Sequence, residues 1–384
     1  MTSLREDTVT AETPSRDDRL WEAEGAVVFS GDGDPRTPET TLRRLAELDG
    51  PSIEADSYSR GGAVEKLEIR FAEMLGKESA VFMPSGTLAN HLAIRQLCGT
   101  RQKAIVQEQS HLFNDSGDCV TRLSGITLVP LAPGQPSFTA EELEQAVERS
   151  GDAKVASPIG AVMVESPVRR QSGQVVPFEQ MRAITEFCKV RGFGSHLDGA
   201  RLYMMSAATG VSPKEYATLF DTVYVSLYKY FGAPFGAILA GTSEFADDLY
   251  HERRMFGGSL SSSYIAAALA LKGSEDFEAR FAASMERAAA LLAGLDTLEG
   301  ITVQRFQNGS NIFPITLRPE VGAEVFVTAL RRRSVFVYTD DHEPSRISLT
   351  VNPTMLRRST EELVEAFREA LSESVKAAAQ GHAG

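Results

Sequence analysis

Thr222-Val223-Tyr224-Val225-Ser226-Leu227-Tyr228-Lys229-Tyr230-Phe231-Gly232-Ala233-Pro234 is the stretch whose reading decides the fold. A β-branched, apolar run enters a lysine between two tyrosines and then a Gly-Ala-Pro turn. Short unbroken apolar runs read as strands buried on both faces, the usual state in a parallel sheet. Working outward, similar runs occupy residues 80–83, 104–107, 126–129, 161–165, 194–197 and 236–240. Helical periodicity fills the gaps. Val64, Leu67, Phe71 and Leu75 mark one apolar face, and Phe178, Met181, Ile184, Phe187 and Cys188 another. This alternation predicts an α/β fold, a large domain with a mostly parallel sheet between helices.

After about residue 275 the rhythm changes. A long helix at 274–295 precedes strand-like 301–304, 311–317, 335–338 and 346–351, and an amphipathic helix starts near Thr360. A smaller C-terminal α+β domain is expected there. The division is 1–50 for an N-terminal arm with a helix at 39–48, 51–272 for the large domain and 273–384 for the small one, with 380–384 frayed.

Bulk properties exclude more than they assign. The 384 residues suffice for two domains and a core that needs no staples. Cys98, Cys119 and Cys188 are odd in number and lack metal-ligand spacing, which fits a reducing cytoplasm and no metal site. The first twenty residues are polar, so no export signal is expected, and no stretch approaches the ~18 apolar residues of a membrane span. A net charge of −13 repels nucleic acid and anionic membranes, so neither is an expected partner.

Three positions fit one chemistry. In Met83-Pro84-Ser85-Gly86-Thr87 a strand meets a small-residue turn and a helix start, a natural phosphate cradle. An ordinary helix N-cap is the alternative. In His196-Leu197-Asp198-Gly199-Ala200-Arg201 a carboxylate ends a strand, where it could pair with a pyridine nitrogen. A capping aspartate ion-paired with Arg201 is the other reading. Lys229, with its aromatic neighbours, would have its pKa lowered by burial and make a competent Schiff-base nucleophile, unless it snorkels from a strand end. Cradle, aspartate and lysine in this order, each at a strand's carboxyl end, are what a pyridoxal 5'-phosphate (PLP) site on such a sheet requires.

On those residues, and on Phe82 to Asn90 in particular, the chain resembles the threonine aldolase and β-eliminating lyase family of fold-type-I PLP-dependent enzymes. The resemblance runs from about residue 29 to 374. It implies that Ser85, Gly86 and Thr87 hold phosphate, Asp198 pairs the ring nitrogen, Arg201 supports the site and Lys229 carries the cofactor, with Ser226 among the cofactor-binding residues. His111 looks like the histidine that stacks on the ring, though a lone loop histidine has a structural reading too. Arg346 looks like the arginine that grips a substrate α-carboxylate. It alternates with Ile347 and Leu349, so a solvated strand arginine is the alternative. The family builds its sites across a subunit interface, which implies a homodimer or homotetramer. Tyr58 and the 257–262 segment are candidate contributors to the partner's site, with Tyr58 near substrate.

The departures concern the substrate side. Where the family carries a histidine after the residue matching Glu165, this chain reads Ser166-Pro167-Val168-Arg169-Arg170, with Val168 in the histidine's place. The family's arginine after its glycine run is absent from 257–262, and tyrosines flank Lys229. The expected reaction is aldol-type Cα–Cβ cleavage of a β-substituted amino acid to glycine and an aldehyde. The alternatives are β-elimination, as in a C–S or C–O lyase, and aldol-type transfer. Ser226-x-x-Lys229 also matches the nucleophile motif of penicillin-recognising enzymes, but its Ser-Asp-Asn and Lys-Thr-Gly partners are missing. A catalytically silent protein on the same scaffold is the third class.

Overall fold

Seven strands of the large domain form because short apolar, β-branched runs are punctuated by glycine-terminated helices. The computed structural model describes residues 23–33, 37–152, 154–155, 157–339, 343 and 345–381. In chain order the first strands are β1 (Val27–Val28), β2 (Ser79–Met83), β3 (Lys103–Gln107), β4 (Thr127–Leu131), β5 (Ile159–Glu165), β6 (Gly194–Asp198), β7 (Thr222–Ser226) and β8 (Ala237–Gly241). Helices Gly62–Leu75, Gly86–Cys98 and Phe178–Arg191 pack against them. The last of these stops where Gly192, at φ +68°, turns left-handed and caps Cys188 and Lys189.

The seven-stranded sheet has the order β2-β8-β7-β6-β5-β3-β4. One strand departs from the expectation of parallel neighbours. β8 runs antiparallel to both β7 and β2. Only residues 227–236 join β7 to β8, and a parallel return needs a crossover of about a dozen residues or more. β2 therefore points the same way as β3 to β7, and their carboxyl ends line one edge. β5, β7 and β8 are buried along their whole length.

Beyond Gly241 the chain forms helix Tyr264–Gly273 before the expected long helix, which begins at Phe277 after Asp276 takes a left-handed turn. β9 (Ile301–Val303), β10 (Ile312–Leu317) and β12 (Arg346–Thr350) make an antiparallel sheet in the order β12-β10-β9, and helix Thr360–Gly381 covers it. β11 (Val335–Phe336) does not join them. It pairs in parallel with β1, and Val27 and Phe29 sit in the small domain's core beside Phe326 and Phe367. The described part of the N-terminal arm is thus stitched into the C-terminal unit. Residues 1–22 and 382–384, on which the export and most of the fraying expectations fall, lie outside the described residues.

Candidate active site

The turn after β2 is built by packing. Ser85 caps helix Gly86–Cys98, its hydroxyl accepting from Leu88 N at 3.2 Å, which leaves the first amides of the helix open to an anion. Glycine at 86 is required by close approach, since a Cβ there would lie 2.1 Å from Tyr224 Oη. Burial pushes that phenol well above its ordinary pKa, so it stays protonated as a donor beside the turn. Gly86→Ala must displace Tyr224 or the helix start, an overpacking worth ~1–3 kcal/mol. The expected result is about 5–150-fold weaker PLP uptake by titration, with helix content by circular dichroism unchanged. Unaltered uptake would remove the turn from the site.

Asp198, at the end of β6, is buried and held in place by a chain of side chains. Asn90 Nδ2 donates to Asp198 Oδ2 at 2.6 Å, and Ala200 N donates to Oδ1 at 3.1 Å. Asn90 Oδ1 then accepts from His196 Nε2 at 2.9 Å, and His196 Nδ1 faces Thr222 Oγ1 at 2.8 Å. Burial lowers the pKa of His196 to about 4, so the ring is neutral. Asn90 has only an oxygen left for it, so His196 carries its proton on Nε2 and Thr222 donates to Nδ1. The aspartate does not cap the next helix, which starts at Leu202, and no ion pair joins it to Arg201 among the described residues. Arg201 instead donates to the Tyr230 hydroxyl.

Lys229 follows β7 and is half-buried, its Nζ 5.8 Å from the centre of the Tyr228 ring. Burial, and then the charge of Arg201, lower its pKa to about 8, while Asp198 and Glu165 pull the other way. Glu165 lies beside Asp198 in register. Burial first and Asp198's charge next push its carboxyl up to about 7. Its two oxygens accept from His111 N at 2.5 Å and Arg169 N at 3.0 Å, tying two loops to the end of β5. His111 opens a short helix, and burial lowers its pKa, so the ring is neutral near pH 7. The Ser116 hydroxyl donates to His111 O at 3.1 Å and sits 3.2 Å from Nδ1. With that hydroxyl proton committed, Nδ1 carries the ring proton and Nε2 is the acceptor.

These groups share one cleft of about 100 Å³, lined by Ser85, Gly86, Thr87, Asn90, His111, Glu165, Arg169, Asp198, Arg201, Tyr228 and Lys229 among others. Ser226 is fully buried at the end of β7, where its Oγ faces the Tyr224 hydroxyl, and it does not line the cleft. Because Ser226 ends a strand and opens no helix, the penicillin-enzyme motif has no structural basis. Arg346 is half-buried on β12, opposite Thr316, and does not line this cleft. Tyr58 lies outside it too. It is 53% exposed, in a left-handed pair with Ser59 (φ 52° and 62°), and its ring stacks under Arg254. Ser59 bonds to Leu260 N and Ser263 Oγ, so Tyr58 and the 257–262 segment are neighbours on one face.

Val168 is fully buried in the large-domain core, and the residue of that turn lining the cleft is Arg169. Asn90, Tyr224 and Arg169 were missed as site residues. Asn90 had a signal, since it stands one helical turn after Gly86 on a helix that starts at the cradle.

The residues suit a phosphorylated pyridine aldehyde. The cleft combines open helix amides, a glycine where no side chain fits, a fixed carboxylate and an amine of depressed pKa. A family model described as beta-eliminating lyase matches residues 42–316. The low-specificity L-threonine aldolases of Candida albicans and Saccharomyces cerevisiae are similar to this chain, at 31% identity over 56% of it and 32% over 61% of it. The alignments span 57% and 61% of those enzymes, under two thirds of their length. A solved structure from Listeria monocytogenes EGD-E, described as an L-allo-threonine aldolase, matches with a TM-score of 0.76 at 26% identity. It covers 92% of this chain and 98% of that one.

Proposed function

The chain belongs to the beta-eliminating lyase family, with pyridoxal 5'-phosphate as its cofactor, and from that premise we propose a lyase that breaks the Cα–Cβ bond of a β-hydroxy amino acid to give glycine and an aldehyde. The observation that carries the reading is Lys229, an amine brought down to about 8 and sharing a cleft with Asp198 and the 85–87 turn. When bound, the cofactor supplies an electron sink for the pair released at Cα.

The protein's own groups supply the rest. The amides after Ser85, with Thr87 and Ser226, would hold the phosphate. Asp198, fixed by Asn90, would keep the ring nitrogen protonated. Lys229 would hold the cofactor and, as a free amine, would move the proton at Cα. His111, which lines the cleft, would offer Nε2 to the β-hydroxyl proton, a task that valine at 168 cannot perform. Arg346, on the small domain and outside the lining of this cleft, is the arginine we assign to the α-carboxylate. Arg201 steadies the lysine's surroundings through Tyr230. A homodimer or homotetramer is supported by exposed Tyr58, whose ring meets Arg254 and whose neighbour Ser59 bonds Leu260, together with Met255 and Leu260, apolar residues 54% and 36% exposed. No helix among the described residues is long and apolar enough to cross a membrane, and the three cysteines are free thiols, as the cytoplasm would keep them.

The deciding experiment incubates the PLP-loaded protein with L-threonine and L-allo-threonine and identifies the products. Glycine and acetaldehyde are expected, whereas 2-oxobutyrate and ammonia would mean elimination. The amine also sets a pH signature. Below about 8 Lys229 is protonated and inert, and above it the free amine attacks. PLP uptake by the stripped protein, followed by absorbance, should therefore rise with pH and reach half its limiting rate near pH 8. A midpoint near the ordinary lysine value, above 10, would contradict the burial described.

A further inference from the structure

Arg169 has no part in the chemistry described so far. It lines the same cleft as Lys229, Glu165 and His111, and its charge lowers the pKa of both Lys229 and His111. Its backbone N–H is pinned to Glu165 Oε1, which fixes where the side chain starts. One Nη donates to Asp115 at 2.6 Å, but that carboxylate is shared, since Arg170 takes it with two bonds of 2.8 and 3.3 Å. Asp115 is therefore divided between two guanidiniums, and Arg169, its side chain 48% exposed, stands at the rim of the cleft. Glu108, the next acid along, acts on Arg170. The described bonds leave Arg169 Nε and Nη1 without an acceptor.

A guanidinium does not lose its proton near neutrality, so Arg169 cannot relieve the β-hydroxyl of one. What a planar N–H fork does well is hold a second carboxylate. We propose that Arg169 selects substrates carrying a carboxylate on or beyond Cβ, so that the preferred class is the β-hydroxy dicarboxylic amino acids, of which 3-hydroxyaspartate is the smallest. This rests on the lyase reading above. In that cleavage the Cα–Cβ bond breaks, the β-hydroxyl loses its proton as its oxygen becomes the carbonyl of glyoxylate, and Cα gains one proton to give glycine. No oxidant or reductant is needed.

The test uses the PLP-loaded enzyme titrated with succinate and with butyrate, reading the visible band of the bound cofactor. Succinate is expected to bind about 10–100-fold more tightly, the worth of a charge-assisted hydrogen-bonded pair. R169Q should erase that ratio and R169K should keep part of it. The ratio of kcat/KM for 3-hydroxyaspartate over threonine should fall by a similar factor in R169Q. Equal succinate and butyrate affinities in the unmodified enzyme, or a preference that survives R169Q, overturns the proposal and leaves the lyase reading standing. A protein that takes up no PLP overturns both.

Discussion

Lys229→Ala leaves a protein from which added PLP washes out on dialysis, and it lowers turnover of any β-hydroxy amino acid by on the order of 10³-fold or more. Two losses combine. The cofactor loses its covalent anchor, and the cleft loses the amine that handles the proton at Cα, a role worth ~10²–10⁴-fold by itself. Misfolding is not the expected cause. At neutral pH the buried ammonium is unfavourable, as its pKa of about 8 records, so removing it relieves a desolvation cost. The melting temperature of the stripped variant should match or exceed that of the unmodified protein. A variant that keeps its colour through dialysis and turns over at the original rate would sink the assignment of Lys229, and with it the cofactor geometry.

The second large effect is at Asp198. Asp198→Asn keeps the volume and removes the charge, and the expected loss is ~10²–10³-fold in kcat with cofactor still bound, the range for deleting a preorganised electrostatic partner. Neighbouring pKa values should both fall. Asp198 holds the Lys229 amine up, so its removal lowers that pKa further and shifts the midpoint of PLP uptake below 8. Asp198 also holds Glu165 up, so Glu165 ionises more readily once the charge is gone. Spectroscopic titration separates the two, and an unshifted uptake midpoint would place Asp198 too far from Lys229 to matter. Asn90→Ala keeps the charge but frees it to turn, so its effect on kcat should be smaller and of the same kind.

Much of the large domain was legible because an apolar run bounded by glycine and polar residues says strand whatever surrounds it. The direction of β8 was not, since polarity of pairing depends on the length of the 227–236 link and not on the strand's own residues. The pairing of β1 with β11 was equally hidden, because two residues cannot carry a period. Within the site, Ser85, Gly86, Thr87, His111, Asp198, Arg201 and Lys229 stand at strand or helix ends, where a functional residue type breaks the apolar pattern, and the structure brings them into one cleft. Asn90 is buried mid-helix, away from any strand or helix end, and only its place one turn after Gly86 marked it. The Val168 and Arg169 exchange escaped for another reason. Position along the chain fixes neighbours, whereas which of two adjacent side chains faces a cavity is decided by the turn, here the return of Val168 N to Gln174 O.

The antiparallel strand β8 has a consequence for how the protein is made. β2 is an edge strand whose sheet partner is β8, so the turn after it cannot take its place in the sheet before residues 237–241 exist. Until then its edge is a hazard for wrong pairing. Glu68, already synthesised, can take Phe82 N at 2.7 Å, while Arg253, which takes Phe82 O at 2.6 Å, arrives only after β8. A nascent chain released before residue 237 would therefore hold the lysine and the aspartate but no phosphate turn. Cofactor capture is in this sense a checkpoint on synthesis, passed only once the ribosome has moved well beyond the residues that do the capturing.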